Sequence, residues 1–313
     1  MIKYFDFEKS IEKIDNKILE LDNNDTEVNN QIIDSYNLEK KKLFKKIYSQ
    51  LSPWQRVQIA RHPKRPHSKD YISSIFNNFI SLAGDKKYGE DHSIISGIGK
   101  LGSQSYMIIG NEKGNTMETR LKHNFGMAKP EGYRKAQRLM FLAEKLNLPI
   151  ITFIDTAGAF PGKDAEERGQ SESIASSILT CLKVKTPIIS IIIGEGGSGG
   201  AIALATADKV SMLQHSIYSV ISPEGCSSIL WRSSDFVQQA AESLKLTSND
   251  CLKFGIIDQI IDEVPGGAHR FVKEQVECVK KNIEENINIL KLIPPDELLN
   301  IRNEKFLNMT LNY

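Results

Sequence analysis

The segment PIISIIIGEGGSGGAIALATA, residues 187–207, carries the strongest fold signal in the chain. Residues 188–193 are five isoleucines and one serine, and a short apolar run of this kind is typical of a strand buried on both faces. A glycine-rich stretch over 194–200 and a run of small residues follow. The segment therefore predicts a buried strand Ile188–Ile193, a glycine loop and a short helix Gly200–Ala207.

A second strand–loop unit stands upstream, in PIITFIDTAGAFPG at 149–162. It predicts a buried strand Ile150–Ile154 and a loop Asp155–Gly162. Amphipathic helices are predicted on either side of it, at Glu131–Asn147 and Asp164–Lys183. Buried strands that alternate with helices indicate an α/β domain with a largely parallel sheet. Further strands of that sheet are predicted at Tyr106–Ile109, Ile217–Ile221 and Ile256–Ile261.

The first sixty residues have a different pattern, because their apolar residues recur every three or four positions, as on one face of a helix. One such stripe runs from Phe7 to Leu21, and a turn is predicted at Asn23–Thr26. A lysine-rich second helix is predicted around Leu43–Leu51. An apolar stripe must be buried, so we expect the main domain or a partner chain to cover these helices.

A proline-broken basic segment, ARHPKRP at 60–66, separates this helical region from the α/β pattern. We therefore predict three parts. They are an N-terminal helical segment over 1–60 that contacts a partner, a main domain over 61–290, and a C-terminal tail over 291–313 to which we assign no role.

Charge and composition narrow the class of protein. Lys and Arg total 40 against 39 Asp and Glu, so the net charge of +1 creates no overall field that favours nucleic acid or a membrane. The apolar run 188–193 is far shorter than the roughly 20 residues that span a bilayer. The four cysteines form no C-x-x-C pair and the six histidines show no ligand spacing. We expect a cytosolic protein with reduced cysteines and no metal of its own.

The two predicted loops follow buried strands, and α/β domains bind ligands beyond the carboxyl ends of such strands. Glycine lets the backbone approach a ligand closely with its N–H groups exposed. The start of the following helix adds unpaired N–H donors and partial positive charge. The loops Asp155–Gly162 and Gly194–Ala201 therefore predict a site for an oxyanion or a phosphate.

The glycine loop also fits two other patterns. Residues 194–199 match the G-x-G-x-x-G of dinucleotide sites, but the next predicted strand does not end in the acidic residue those sites use. Residues 196–200 match the G-x-S-x-G nucleophile elbow, so a hydrolase with Ser198 as nucleophile is a second hypothesis. Its candidate triad partners are Asp235, Asp258 and His269.

Seven segments, spread in order over about two thirds of the chain, resemble the α-subunit family of acetyl-CoA carboxylase carboxyltransferases, which is crotonase-like. The segments are ARHPKRP (60–66), NFGMAKPEGYRKAQRLM (124–140), PIITFIDTAGAFPG (149–162), AEERGQSESIA (165–175), IGEGGSGGA (193–201), YSVISPEGCSSILW (218–231) and GGAHR (266–270). In the first loop, Ala157 stands where the family usually has proline, which removes a fixed φ angle and adds an N–H group.

The resemblance implies a crotonase-like α/β fold with an N-terminal helical extension, and a specific reaction. The family transfers a carboxyl group from carboxybiotin, presented by a separate carrier protein, to acetyl-CoA. The product is malonyl-CoA, and the reaction is the first committed step of fatty acid biosynthesis. No cofactor is bound covalently by this type of chain. The released ureido nitrogen can take the acetyl α-proton itself, so no side-chain base is required.

The resemblance also implies partners. The family assembles as α₂β₂ with a β subunit that carries a zinc ribbon and serves acetyl-CoA, and it works with the biotin carboxyl carrier protein and biotin carboxylase. The α chain alone is then inactive or nearly so, in a cytoplasmic complex that requires neither nucleic acid nor membrane. A third hypothesis is a catalytically silent binding module with the same fold.

By this resemblance, the backbone N–H groups of Gly199, Gly200 and Ala201 form the oxyanion hole that faces biotin. Five neighbours then shape the substrate pocket: Gly158, Ala159, Gly196, Gly197 and Ser198. Glu195 either orders the loop or is a plain surface carboxylate. The basic candidates for contact with CoA phosphates or with the partner subunit are Arg61, Lys64, Arg65, Arg120 and Lys122.

Overall fold

The computed structural model describes residues 3–22 and 27–309, so the turn predicted at Asn23–Thr26 lies outside the described residues. An eight-stranded sheet forms the centre of the chain. Its strands are β1 (Asn77–Ser81), β2 (Ile94–Leu101), β3 (Gln104–Asn111), β4 (Ile150–Thr156), β5 (Ile188–Gly197), β6 (Lys209–Leu213), β7 (Ile217–Ser219) and β8 (Gln259–Ile261).

Most of the sheet is parallel, as the alternation of strands and helices predicts. The strand order is β1-β2-β3-β4-β5-β6-β8, and β7 pairs with the end of β5 beside β6. Among the paired strands of the described residues, only β1–β2 and β2–β3 are antiparallel, while β3 to β6 and β8 run parallel to one another. The carboxyl ends of β4 and β5, which the two candidate loops follow, therefore lie side by side.

Fourteen α-helices surround this sheet in the described part of the chain. They are α1 (Lys9–Asp22), α2 (Glu27–Tyr48), α3 (Pro53–Ala60), α4 (Ser68–Ile75), α5 (Met117–Lys122), α6 (Pro130–Lys145), α7 (Lys163–Glu167), α8 (Gln170–Cys181), α9 (Ser198–Ala205), α10 (Pro223–Trp231), α11 (Val237–Ser243), α12 (Ser248–Lys253), α13 (Val272–Leu290) and α14 (Pro295–Asn308).

The isoleucine run of β5 is buried on both faces because helices cover both sides of the sheet. Ile188 and Ile192 point into a core shared with α6, α8 and α9. Ile189, Ile191 and Ile193 point the other way, into a core shared with α4 and α13. All five side chains have no exposed surface. At about 1.5–3 kcal/mol for each fully buried side chain, the five isoleucines together contribute roughly 8–15 kcal/mol of hydrophobic stabilisation.

The single helix predicted over Asp164–Lys183 is wrong, since two helices occupy the range. Gly169 separates α7 from α8 with φ at +81°, a left-handed conformation that ends one helix and begins the next. A glycine inside a helical pattern is only weak evidence for such a break. Because the apolar periodicity continues through Gly169, the sequence predicted one helix instead of two.

The apolar stripe of the N-terminal helices packs against the chain itself. Ile11, Phe44 and Tyr48 are buried in one cluster with Leu51, which precedes α3, and Ile59, which lies within it. The rings of Phe44 and Tyr48 also pack edge-on against Phe271 and His215 of the main domain. A buried polar contact reinforces this cluster. The Glu8 carboxylate, with no exposed surface, accepts hydrogen bonds from Tyr48 Oη at 2.6 Å and from Arg270 Nη1 at 2.8 Å. The main domain thus covers the inner side of the stripe.

Buried histidines under the N-terminal helices predict a loss of stability in acid. Burial lowers the pKa of His215 to about 4, and burial with the nearby His62 and Arg270 lowers the pKa of His269 to about 2. Both imidazoles are therefore neutral in the fold, whereas an unfolded imidazole titrates near about 6.5. Above about pH 6.5 both states hold neutral imidazoles, and the fold has its full stability. As the pH falls from there toward the folded pKa, the unfolded state binds protons that the fold does not, and the free energy of unfolding drops by up to about 1.4 kcal/mol per pH unit per histidine.

We expect the free energy of unfolding of the wild-type chain, from urea titrations, to fall steeply between about pH 6.5 and about pH 4.5. The His215→Gln variant should lose about 2 kcal/mol less across the same interval. His92→Gln, at an exposed histidine, is the control and should follow the wild type. Parallel curves for wild type and His215→Gln would contradict the assignment of a neutral buried His215.

Residues 295–308, within the segment predicted as a tail, form helix α14, and one arginine anchors that helix to the sheet. Arg302 has no exposed surface and makes two hydrogen bonds to the Asp208 carboxylate, at 2.8 and 2.7 Å. Its guanidinium also donates to the carbonyls of Cys181, Val184 and Thr186, at 2.6–2.9 Å. The end of the described chain is therefore an integral part of the α/β domain.

Candidate functional site

The glycine-rich stretch after the isoleucine run is a strand for half its length. Gly194 to Gly197 continue β5, and Gly196 is paired with Thr156 of β4 on one side and Tyr218 of β7 on the other. The predicted loop is wrong here because β7 supplies ladder partners that keep the glycines extended. The chain turns sharply only at Ser198, whose φ of +49° is left-handed, and helix α9 starts there.

Glycine is required at two positions because the two candidate loops touch through their backbones. A Cβ atom at Gly197 would lie 2.2 Å from the carbonyl oxygen of Ala157. A Cβ atom at Gly200 would lie 2.5 Å from the carbonyl carbon of Gly158 and 2.7 Å from the nitrogen of Ala159. Real Cβ atoms do not approach backbone so closely, so the turn over 157–159 and the start of α9 form one continuous backbone surface.

The start of α9 presents N–H donors at this surface. Since the helix begins at Ser198, the N–H groups of Gly199 and Gly200 have no acceptor inside it. Ala201 follows with no exposed surface, and its N–H is the first that a regular helix would pair. The partial positive charge of a helix start favours negative charge here. The arrangement can therefore stabilise an oxyanion without a charged side chain.

A mostly apolar cavity of about 400 Å³ adjoins these donors. Ser198 and Gly199 form part of its wall, beside the rings of Tyr218 and Phe254. The remaining wall residues are Ile202, Ser219, Val220, Leu244, Lys245 and Ile256. Apolar walls with a few polar groups at one end are typical of sites for small molecules. The cavity suits an uncharged ring whose polar edge reaches the start of α9.

A buried network of charges holds the ends of β4 and β5. Lys113 Nζ lies 2.8 Å from Asp155 and 2.7 Å from Glu195. His67 Nδ1 lies 3.0 Å from the same Asp155 carboxylate. Arg61 contacts Glu195 at 2.6 Å. Burial alone would raise the pKa of both carboxyl groups, but the neighbouring cations hold the pKa of Asp155 and of Glu195 below their usual ranges.

Glu195 is consequently an ordering residue rather than a surface carboxylate, since only 7% of it is exposed. Its backbone N–H also donates to Asp155, at 3.0 Å. Asp155 thus fixes the backbone of β5 two residues before Gly197. No sequence pattern predicted a role for the side chains of Asp155, Lys113 or His67, although Asp155 is the first residue of the first candidate loop. Asp155 could have been found as the acidic residue at the end of a buried strand, but no local pattern signals the other two.

The structure separates the five basic candidates into three groups. Arg65 is buried, with both terminal nitrogens on the Glu263 carboxylate at 3.0 and 2.6 Å, so the expectation that it contacts CoA or a partner is wrong. Lys64 and Lys122 are exposed. Arg61 and Arg120, half-buried, line one cavity together.

The structure does not assemble the hydrolase site. The His269 ring stacks on His62 with 4.0 Å between ring centroids, and its Nε2 contacts Arg270. Asp258 pairs with Lys305 at 2.6 Å. No histidine of the described ranges forms a hydrogen bond with Ser198, so the triad hypothesis lacks the geometry that nucleophile activation needs.

Residues 3–22 and 27–309 contain neither a cluster of metal ligands nor a membrane-spanning helix. No set of three or more His, Cys, Asp and Glu side chains there is arranged to hold a metal ion. No helix in these ranges combines the length and the apolar character that crossing a membrane requires.

Comparison with known proteins gives consistent results. A sequence model of the family described as "Acetyl co-enzyme A carboxylase carboxyltransferase-like" matches residues 4–310. Two similar relatives are acetyl-coenzyme A carboxylase carboxyl transferase subunits alpha. The one from Zymomonas mobilis is 50% identical over 312 residues, 99% of each chain. The one from Paramagnetospirillum magneticum is 51% identical over 308 residues, 97% of each chain.

Solved structures resemble the fold at low sequence identity. A Pseudomonas malonate decarboxylase hetero-tetramer chain aligns with a TM-score of 0.57 and 14% identity, covering 74% of this chain and 90% of that chain. A transcarboxylase 12S chain aligns with a TM-score of 0.55 and 17% identity, covering 68% and 42%. These likenesses concern the fold alone, and they confirm the predicted crotonase-like α/β fold with a helical N-terminus.

Proposed function

The chain belongs to the acetyl co-enzyme A carboxylase carboxyltransferase-like family, and from that premise we propose that it is the α subunit of a two-subunit carboxyltransferase. The enzyme transfers the carboxyl group of carboxybiotin to acetyl-CoA and forms malonyl-CoA, which commits carbon to fatty acid biosynthesis. The observation that carries this proposal is the start of α9, where free backbone donors border an apolar cavity.

The proposed oxyanion donors on the biotin side are the N–H groups of Gly199 and Gly200. Ala201, the third predicted residue, follows them, and its N–H is the first that a regular helix pairs. Loss of the carboxyl group leaves negative charge on the ureido oxygen of biotin. Preformed N–H groups in a water-poor cleft stabilise such charge without reorganising during the reaction. The apolar wall at Tyr218 and Phe254 excludes water, which strengthens those hydrogen bonds.

The remaining predicted residues keep the donors in place. Gly158 and Ala159 form the turn against which the start of α9 rests, and Gly196, Gly197 and Ser198 bring the strand into the helix. The charge network of Asp155, Lys113 and Glu195 lies behind this junction, so it acts by positioning backbone. No side-chain base is assigned, since the ureido nitrogen released from biotin can accept the acetyl α-proton.

The complementary half of the site belongs to a β subunit in this proposal, within a cytoplasmic α₂β₂ assembly. That subunit supplies the acetyl-CoA side and its own zinc ribbon, and the biotin carboxyl carrier protein and biotin carboxylase deliver carboxybiotin. The N-terminal helices are the proposed contact with the partner. Their outer face carries exposed Leu19 and Leu38, 58% and 56% exposed, while their inner face is already covered.

The proposal is tested by the reverse reaction, in which malonyl-CoA carboxylates free biotin. We expect activity when the chain is mixed with a zinc-bearing β subunit, and at least about 100-fold less with either subunit alone. Formation of the complex is checked by size-exclusion chromatography. A complex that forms but has no activity would favour the catalytically silent binding module instead.

A further inference from the structure

A single hydroxyl group holds the turn over 157–159. It belongs to Thr156, the last residue of β4. Thr156 Oγ1 accepts a hydrogen bond from the N–H of Gly158 at 3.1 Å and donates one to the carbonyl oxygen of Gly158 at 2.7 Å. In the described part of the chain, no other side chain makes a hydrogen bond to the backbone of residues 157–159. The hydroxyl therefore provides both polar groups of the Gly158 backbone with a partner.

Burial makes these two hydrogen bonds important. Thr156 has no exposed surface, and Gly158 is buried as well. A buried N–H or carbonyl group that loses its partner is costly, because water does not replace the lost hydrogen bond. Without the hydroxyl, the two backbone groups of Gly158 gain new partners only if the turn leaves its present position. The hydroxyl of Thr156 thus favours one position of the turn.

The position of this turn determines where the start of α9 can lie. On one side of the turn, a Cβ atom at Gly197 would be 2.2 Å from the carbonyl oxygen of Ala157. On the other side, a Cβ atom at Gly200 would be 2.5 Å from the carbonyl carbon of Gly158. Backbones packed this closely cannot shift independently, since a protein interior has few voids. A displaced turn therefore changes the position of the N–H groups of Gly199 and Gly200.

From this geometry we propose that Thr156 is a positioning residue for carboxyl transfer. Its hydroxyl holds the 157–159 turn against α9, and the turn keeps the N–H groups at the start of that helix directed at the ureido oxygen of biotin. This inference rests on the proposed function and adds a residue to the same site. Because the side chain of Thr156 has no exposed surface, it acts through the turn and not by contact with the substrate.

Misaligned donors should lower kcat and leave the KM for malonyl-CoA nearly unchanged. Negative charge builds on the ureido oxygen only during carboxyl transfer, so the donors act mainly in the transition state. Malonyl-CoA is bound by the β subunit in the proposed function, and the turn does not contribute to its binding. Loss of an interaction made only in the transition state lowers kcat and kcat/KM equally.

Thr156→Val tests the inference in the complex with the β subunit, by malonyl-CoA-dependent carboxylation of free biotin. Valine has nearly the shape of threonine but lacks the hydroxyl. We expect kcat to fall about tenfold or more and the KM for malonyl-CoA to stay within about twofold of the wild type. Thr156→Ser keeps the hydroxyl and should retain kcat within about threefold.

Thr152 provides a matched control on the same strand. It has no exposed surface, and its hydroxyl donates to the carbonyl oxygen of Leu204, near the end of α9, at 2.9 Å. Thr152→Val therefore removes a buried hydroxyl but leaves the turn unchanged. Its melting temperature should fall about as much as that of Thr156→Val, whereas kcat should change less than about threefold. A Thr156→Val kcat within about threefold of the wild type, or an equal kcat loss in both valine variants, would overturn the inference.

A second pair of variants serves if Thr156→Val does not fold. Thr156→Ser and Thr156→Ala differ from each other only by the hydroxyl group. We expect kcat of the alanine variant to be about tenfold or more below that of the serine variant. Similar kcat values in the two would overturn the inference in the same way.

Amide hydrogen exchange of the full chain separates this inference from the proposed function. The N–H of Gly158 should exchange about tenfold or more faster in Thr156→Val than in the wild type, and at an unchanged rate in Thr152→Val. Equal exchange rates in all three proteins would refute the hold of Thr156 on the turn. An inactive wild-type complex would refute the proposed function alone, because the exchange rate does not depend on activity.

Discussion

Replacing Gly200 by alanine should reduce the kcat of the reconstituted carboxyltransferase at least about 100-fold while the chain stays folded. The added Cβ atom meets the backbone of Gly158 and Ala159 at 2.5–2.8 Å, so that turn must move away from α9. A displacement of about 1 Å between catalytic groups is enough for a loss of this size.

Two alanine substitutions provide controls for this result. Gly199→Ala, one residue earlier, meets only methyl groups of Ile174 at 3.4 and 3.5 Å, so we expect a loss below about fivefold. Gly89→Ala meets nothing within 4 Å and should have no measurable effect. Steady-state rates of biotin carboxylation and thermal unfolding are measured for all three. Equal rates for Gly200→Ala and Gly89→Ala would contradict the role of the 158–200 contact.

Replacing Arg302 by methionine should lower the free energy of unfolding by about 3–5 kcal/mol, the largest stability effect we expect in the chain. The substitution leaves Asp208 buried without its cation, and three carbonyl groups lose a donor. An unpaired buried charge costs far more than the pair itself contributes. Urea unfolding measures the loss of stability. The folded fraction of the variant should keep a normal kcat in the complex.

Lys291→Met, at an exposed residue before α14, changes the net charge equally and should alter the free energy of unfolding by less than about 0.5 kcal/mol. If Arg302→Met behaved like this control, α14 would not be anchored by its arginine.

Local patterns were sufficient to predict the α/β domain and the strand ends that the two candidate loops follow. The isoleucine run of β5 and the strand before Asp155 each carry their own burial signal, and both candidate loops lie at the carboxyl ends of these strands. The close approach of Gly200 to Gly158 is consistent with two loops that lie side by side at this edge of the sheet, but the sequence motifs do not predict how close the two backbones come.

Long-range pairing explains what the patterns missed. Gly196 is in a strand because Tyr218, more than twenty residues later, pairs with it, and glycine itself favours a loop in isolation. The charge network joins Arg61 to Glu195 across 134 residues and His67 to Asp155 across 88. No local sequence pattern marks these residues, because their roles depend on contacts that form only in the folded chain.

Removing the backbone N–H of Gly200 tests most directly whether this amide stabilises the oxyanion, and the N–H can be removed without any other change. Replacing Gly200 by glycolic acid exchanges the N–H for an ester oxygen and adds no side chain, so the contact with Gly158 is kept. We predict that kcat for malonyl-CoA-dependent carboxylation of biotin, measured with the β subunit, falls about 100-fold or more with little change in thermal unfolding. A kcat within about threefold of the wild type would contradict the claim that this amide stabilises the oxyanion.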